Sequence, residues 1–456
     1  MNLIGISILL PVLFVVTCAP RRWAVIGYMT GVLFLTQGQQ LQVFGFNLFA
    51  IRFVELAGFI RVIARGELTS YRLNSIDRAL LILYIYATVV FVLRSSEGVA
   101  YHVGMLVDAF LCYFAFRGLI GGFEDFNWFL RCFLLLLLPF AAIIVFESLT
   151  KYNLFTVMGG VTRVEDFMRG GRLRCQGSFR HPILLGTLGA SFLPLYIAMV
   201  RPKSHRLLAM LGIFLCLVIV GASNSGGPAS CVVVGVAGWV LWKWRTKMLR
   251  IRRAIVFGII SLGLVMKAPV WYLLAHVSDI TGGGGWHRAF LIDTAFQHLH
   301  QWWLAGMPIE DTVNWFAYSV PVTGGADMTN TFISFGVQSG LVAIALLIAL
   351  LVCAYRRLGI ALALVRNRYP IGSTTEFMLW GVGVMLAVHI MNWLGISYFD
   401  QIYVVWFMQL AAISNLCDQV FAEDAKGVED ATDEPAITAH IYDGGWNPNS
   451  SEAFRY

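Results

Sequence analysis

Charge is scarce in this chain. Lys, Arg, Asp and Glu make up only 13% of its 456 residues, against about 25% in soluble globular chains. The shortage excludes an ordinary water-soluble domain, and it comes with 58% apolar residues and a mean hydropathy of +0.72. Cysteine is also sparse. Nearly all of Cys18, Cys112, Cys132, Cys175, Cys216, Cys231, Cys353 and Cys417 fall in or beside apolar segments, with no spacing that resembles a zinc site or a disulfide framework. No structural disulfide and no metal site are expected. Basic residues are missing ahead of the first apolar run, "MNLIGISILLPVLFVVTCAPRR", where Arg21 and Arg22 follow it instead. That order is wrong for a secretory signal, so the run reads as an uncleaved first helix with its N-terminus outside. The chain also lacks an internal repeat and a Pro/Ser-rich interdomain linker. The glycine run Gly282–Gly285 lacks the Lys-Ser/Thr of a phosphate-binding P-loop and reads as a flexible turn.

What the chain does have is apolar sequence in membrane-spanning lengths. Such segments lie near 2–18, 23–37, 43–60, 79–95, 99–116, 130–148, 182–200, 207–222, 228–242, 254–273, 330–355, 375–395 and 400–417. The expected fold is all-α, a polytopic membrane protein of about 12–13 transmembrane helices, the short second segment being compatible with a re-entrant turn. The basic residues then orient the helices. Arg21/Arg22, Arg61 to Arg78, Arg117/Arg131, Arg201 to Arg206, Lys243 to Arg253 and Arg356 to Arg368 occupy every second linker and hold most of the 33 Lys and Arg. The positive-inside rule puts these linkers in the cytoplasm. It accounts for the formal charge of +7 and the pI near 9.0 without nucleic acid as a partner. Residues 1–417 form one membrane domain. Residues 418–456, with nine acids against Lys426 and Arg455, are expected to be a disordered cytoplasmic tail.

Two long outward loops, about 150–181 and 274–329, need a function to explain their length. The first breaks the charge rule, because it gathers Lys151, Arg163, Arg169, Arg172, Arg174 and Arg180. They precede an apolar helix that begins at His181-Pro182. Proline suits a first helical turn, helix N-termini attract anions, and arginine forks match phosphate oxygens. An anion site at this membrane face is the preferred reading over a solvated basic loop touching headgroups. The anion at hand there is a lipid phosphate or pyrophosphate.

The second loop carries "WHRAFLIDTAFQHLHQWWLAG". Its apolar spacing, from Ala289 through Leu299, predicts a helix lying on the membrane interface. Trp302 and Trp303 read as an interfacial belt or a sugar-stacking platform. His298 and His300, two apart, face different ways on a helix and make no metal pair. Asp327 and Asn330 sit where this loop meets the next helix. There they read either as helix caps or as a catalytic carboxylate and a substrate-binding amide. Within the apolar segments, Arg52 and Glu55 are spaced to pair on one helix face, while Asp108 and Glu147 stand alone. The turn "GASNSGGPAS", Gly221 to Ser230, offers hydrogen bonds to a headgroup or sugar.

At "RCQGSFRHPILLGTLGA" (Arg174 to Ala190), "SNSGGP", the second-loop stretch above and "DMTNTFISFGVQSGL", the chain resembles the O-antigen ligase / O-antigen polymerase superfamily of bacterial membrane glycosyltransferases. The resemblance covers most of the membrane domain. It implies an enzyme of the bacterial cytoplasmic membrane whose donor is a glycan on undecaprenyl diphosphate. No nucleotide sugar, metal or other cofactor is implied, and flippase and chain-length-regulator proteins are implied as neighbours. It maps phosphate-binding arginines onto Arg174, Arg180 and Arg288. The ligases typically place His-Asn at the start of the helix after the large loop. Here Thr329-Asn330 stands there with Asp327 two residues before, which turns the expectation from ligation to polymerisation. Asp327 is the first candidate base, followed by His181 and Glu165. Arg163, Arg172 and Asn330 complete the expected substrate-binding set. A ligase, or a transporter or flippase of a glycan or other anion, is the alternative.

Overall fold

The computed structural model describes residues 1–43, 46–68, 72–94, 99–161, 168–169, 171–273, 285–316 and 328–433. Each of the thirteen apolar segments coincides with a helix. In order these are α1 (Leu3–Cys18), α2 (Arg21–Phe34), α3 (Ala50–Ala64), α4 (Ser75–Arg94), α5 (Val99–Leu119), α6 (Phe123–Thr150), α7 (Pro182–Ala198), α8 (Arg206–Ser223), α9 (Gly226–Val240) and α10 (Met248–Val265). Two shorter helices of the second long loop follow, α11 (Gly285–Gln297) and α12 (Leu299–Trp302). The chain then closes with α13 (Thr331–Arg368), α14 (Thr374–Trp393) and α15 (Ile402–Asp433). Seven helices, α4, α5, α6, α8, α13, α14 and α15, are long and apolar enough to cross a membrane. The other six segments form helices of 14 to 18 residues. At 1.5 Å per residue these reach about 21–27 Å, slightly less than a hydrocarbon core of about 30 Å. The fold and site together define an all-α polytopic membrane protein.

The core is centred on α7 and α15. Most of the apolar part of α15 is buried (83%, against 39–61% for the other six long helices), and nearly every residue of α7 is covered. The periphery is apolar as well. Leu93, Leu207 and Leu264 are more than four-fifths exposed, and α10 buries no residue. Apolar side chains outside as well as inside are what lipid, rather than water, permits. Pro11, Pro139 and Pro194 stand inside helices, a placement membrane packing tolerates.

The basic linkers meet at one end of the bundle, where acids answer them. Arg22 pairs with Glu124 at 2.7 Å, Arg21 and Arg22 share Asp125, and Arg245 and Arg366 share Glu376. Arg117 bridges Asp77 and Asp418, and Arg357 also reaches Asp418. Glu376 and Ser373 form a reciprocal cap that starts α14, Ser373 accepting from the Glu376 N–H and the Glu376 carboxylate accepting from Gly372 N–H.

Four expectations change. The segment near 43–60 begins as a strand, because Gln40–Val43 pairs antiparallel with Phe46–Phe49 before α3 starts. The segment near 254–273 starts earlier, at Met248, and its helix stops at Val265. The tail does not begin at 418: α15 runs on to Asp433, and Asp418 is tied to the bundle by two arginines that need a counter-charge. Residues 434–456 lie outside the described part. Finally, Arg52 pairs not with Glu55 but with Asp108 on α5, through two hydrogen bonds of 2.8 Å, because the bidentate fork fits a carboxylate facing it across a helix contact.

Beyond the opposite end, α11 and α12 fold back on the start of α13. Ile292, Ala295, Trp302, Met307, Met328, Ile333 and Val337 form a separate small core there. The predicted interfacial helix therefore buries its apolar stripe in protein. Trp302 is fully covered and donates to the Ala295 carbonyl at 2.8 Å, which makes it core and neither belt nor platform. α13 is broken at Gly340 (φ 82, ψ 175). The freed groups are used: Leu341 N–H donates to Trp303 O, Met307 N–H to Val337 O, and Arg94 to Ala305 O and Gln338 O.

Candidate functional site

The loop between α6 and α7 is organised by Glu147, an acid near the end of α6. Its buried carboxylate accepts from Gln176 N–H at 3.0 Å, Gly177 N–H at 2.9 Å and the Asn153 side chain at 3.3 Å. Asn153 in turn donates to Gly177 O and accepts from Phe155 N–H, which starts the turn Leu154–Met158. Cys175 N–H donates to Ala222 O, so the loop is stitched to the end of α8. Arg174 follows from this fixed backbone. It donates to Ser225 Oγ at 2.9 Å, the residue at the N-terminus of α9. Thus the polar turn at 221–230 serves Arg174 directly.

Arg288, from the first turns of α11, comes to the same place. A Cβ on Gly227 would lie 3.5 Å from its Nη2, and one on Gly395 would lie 3.1 Å from its Nη1. Glycine at both positions lets two backbones approach the guanidinium. Three like charges act on one another here. Burial, then the charges of Arg169 and Arg288, push the Arg174 guanidinium down to about 10. Arg288 is lowered by burial and by Arg169. Arg174 and Arg288 are thus held closer to like charge than cations prefer. His181 and Ser225, the residues that begin α7 and α9, both lie near Arg174.

His181 caps α7, its Nδ1 accepting from Ile183 N–H at 3.1 Å. Burial and the charges of Arg174, Arg288 and Arg169 push it down to about 4, so it is a neutral imidazole at pH 7. Arg172 is exposed and stands across from Arg169 in the short hairpin Met168–Arg169/Arg172–Leu173. Arg180 pairs with Asp400 at 3.3 Å and lies over the Phe49 ring. Asn330 is buried and caps α13, accepting from Ile333 N–H and donating to Leu394 O. Both ends of its amide are thereby used in holding the helix. Asp327, Glu165 and Arg163 lie outside the described residues.

Sequence reasoning missed Asp400. It sits in Leu394–Gln401, the short connection between α14 and α15, at φ 53, a left-handed conformation that Asp tolerates better than most residues. Its side chain is only 9% exposed, and Oδ2 makes no hydrogen bond among the described residues. Burial pushes the carboxyl up to about 6 in spite of Arg180. The signal available was an acid in a short outward linker. The same connection holds a buried network. His389 bonds the Tyr398 hydroxyl at 2.6 Å and the Gln409 side chain on α15, and Asn392 donates to Thr187 Oγ1 at 2.6 Å.

No known family model matches this chain, and no curated protein matches it in sequence.

Proposed function

We propose that the protein polymerises oligosaccharide repeat units carried on undecaprenyl diphosphate, at the face of the bacterial cytoplasmic membrane opposite its basic linkers. The observation that supports this most is the meeting of Arg174, Arg288 and Arg169 near the N-termini of α7 and α9, where the charge of Arg169 weighs on both Arg174 and Arg288 and that of Arg288 on Arg174. A diphosphate placed among them relieves that repulsion, and the relief is binding energy. The site is stationed at the membrane edge, where a lipid-borne diphosphate presents itself and a cytoplasmic nucleotide does not.

In the reaction the acceptor hydroxyl oxygen attacks the anomeric carbon of the donor glycan. The bond from that carbon to the diphosphate oxygen breaks and its electron pair leaves on the diphosphate. The arginines stabilise the charge that grows there. Single displacement inverts the anomeric centre. The acceptor proton passes to a base; His181, neutral but a poor proton acceptor at about 4, is better suited to shaping the helix N-terminus than to that task.

The test has two parts. Arg174→Ala and Arg288→Ala, each in the full chain, are expected to insert in the membrane yet give no polymer in cells. The purified proteins are expected to lose affinity for undecaprenyl diphosphate in nanodiscs. Polymer of normal length and yield from both variants would refute the reading. Movement of the lipid-linked glycan across liposomes by the parent protein, without longer glycans, would make it a transporter.

A further inference from the structure

A cavity of about 440 Å³ lies between α4, α5, the start of α13 and the Leu394–Gln401 connection. That is within the usual range of small-ligand sites, about 300–1,000 Å³. Its lining mixes aromatic faces, Tyr84, Phe335 and Tyr403, with hydroxyl and amide groups, Thr88, Ser334 and Gln338. No Lys or Arg is among the described lining residues, and Glu310 is the acid among them. Such a wall is unsuited to a diphosphate, which needs cations, and to a polyprenyl tail, which needs no hydrogen bonds. It fits a neutral polyhydroxyl molecule, whose ring faces stack on aromatics and whose hydroxyls pair with side chains.

The connection that closes this cavity also borders the arginine cluster. Gly395 lies against the Arg288 guanidinium. Ser397, Tyr398 and Phe399 line the cavity. Asp400, next in sequence, faces Arg180, and its charge is felt by Tyr101 and Tyr403 of the cavity wall. Eight residues thus border Arg288 at one end and carry at the other a buried carboxylate whose Oδ2 faces Arg180 without a hydrogen bond among the described residues.

We infer that this cavity holds the acceptor glycan and that the Asp400 carboxylate takes the proton of the attacking hydroxyl, an inference that rests on the glycan-transfer reading above. In the step the acceptor O–H proton moves to the carboxylate as its oxygen bonds to the anomeric carbon and the diphosphate departs with the electron pair. The proton is then released to water. A carboxyl held near 6 is ionised at neutral pH while remaining a better proton acceptor than an ordinary aspartate. The ion pair with Arg180 holds the side chain in place.

The experiment uses the full chain in nanodiscs with two probes. One is undecaprenyl diphosphate, for affinity. The other is the lipid-linked oligosaccharide extracted from cells that make it, for elongation on a gel across pH 5 to 9. Asp400→Asn is expected to lower elongation about a hundredfold or more and to abolish the acid limb near pH 6, with undecaprenyl diphosphate affinity retained. Asp400→Glu is expected to restore part of the rate and to move the limb. Ser334→Trp, which fills the cavity from α13, is expected to raise the glycan concentration needed for half-maximal rate without changing diphosphate affinity. It carries the test alone if Asp400→Asn does not fold. Elongation at the parent rate by both Asp400→Asn and Ser334→Trp overturns the inference and leaves the transfer reading standing. Loss of undecaprenyl diphosphate affinity in Ser334→Trp also overturns it, since the cavity would then belong to the donor lipid. Absence of elongation by the parent protein overturns both.

Discussion

Removing the Glu147 carboxylate is the sharpest way to ask whether the first long loop is built to hold Arg174. Glu147→Ala leaves Gln176 N–H and Gly177 N–H, both buried, without their acceptor. A buried donor stripped of its partner costs about 1–3 kcal/mol, so the two together cost about 2–6 kcal/mol. The upper end is not reached, because the loop opens and water replaces the carboxylate once opening is cheaper. Even about 2 kcal/mol multiplies the open population roughly 30-fold. Asn153 supplies a control. It bonds both Glu147 and Gly177 O, so Asn153→Ala is expected to act in the same direction, and the double variant to fall short of the sum of the singles. The assay is limited proteolysis of the detergent-solubilised protein, following cleavage between Lys151 and Arg180, with undecaprenyl diphosphate affinity measured in parallel. Faster cleavage and weaker binding are expected together. Unchanged cleavage in Glu147→Ala would refute the claim that this carboxylate orders the loop. Faster cleavage with unchanged affinity would refute the claim that the loop positions Arg174.

Other substitutions probe the remaining parts. Gly340→Ala forces a backbone conformation open essentially to glycine alone, at a cost of about 1–3 kcal/mol, and sets a methyl group on the Leu304 carbonyl. A lowered thermal midpoint and loss of the outer helices' protection in hydrogen exchange are expected; an unchanged midpoint would contradict the break as drawn. Trp302→Ala should cost about 3–5 kcal/mol by emptying the small core, whereas Trp303→Ala, about half exposed, should stay within about 0.5 kcal/mol of the parent. Equal effects would mean that Trp302 is not buried. His181 titrates near 4 in the folded protein and near 6.5 when unfolded. The unfolded chain therefore binds the extra proton first, and stability is lost as pH falls from 6.5 toward 4. His181→Asn, which keeps a capping side chain but does not titrate, should flatten that part of the thermal-midpoint curve against pH; a curve of the same slope would remove His181 as its source.

The helices were legible because each is an apolar run of near-spanning length, and lipid allows no other regular structure for such a run. The end of the bundle that gathers the basic linkers was legible from Lys and Arg alone. The acids that answer them were not, since Asp77, Asp125, Glu376 and Asp418 come from distant linkers and nothing local marks them as partners. Asp418 shows the consequence: composition made it the first residue of a tail, and two arginines from α5 and α13 made it part of the bundle. At the candidate site, Arg174 and Arg288 were singled out and do come together. Arg180 was grouped with them by proximity in sequence, yet its side chain, two residues before the helix start, pairs with Asp400. Asn330 was weighed as cap or ligand, and its geometry is that of a cap. Asp400 and the role of Glu147 were hidden for a common reason. Each acts through burial against a segment far off in sequence, and spacing carries no information about that.

The two ends of the bundle treat charge in opposite ways, and that contrast is what favours a site over a structural role. At the basic end Arg21, Arg22, Arg117, Arg245, Arg357 and Arg366 each meet a carboxylate within hydrogen-bonding distance. Half-buried cations that serve architecture are normally matched this way. At the other end Arg288 forms no ion pair among the described residues; burial and Arg169 lower it against the opposing influence of Cys231, and the charges that weigh on Arg174 are those of Arg169 and Arg288. Asp400 pairs with Arg180. An acid placed beside Arg288 would repel a diphosphate. Introducing one is therefore informative: Gly227→Asp, placed within reach of Arg288, is expected to raise the thermal midpoint or leave it unchanged while abolishing undecaprenyl diphosphate binding. A variant that binds the diphosphate as the parent does would show that the positive field of this cluster is not what recognises it.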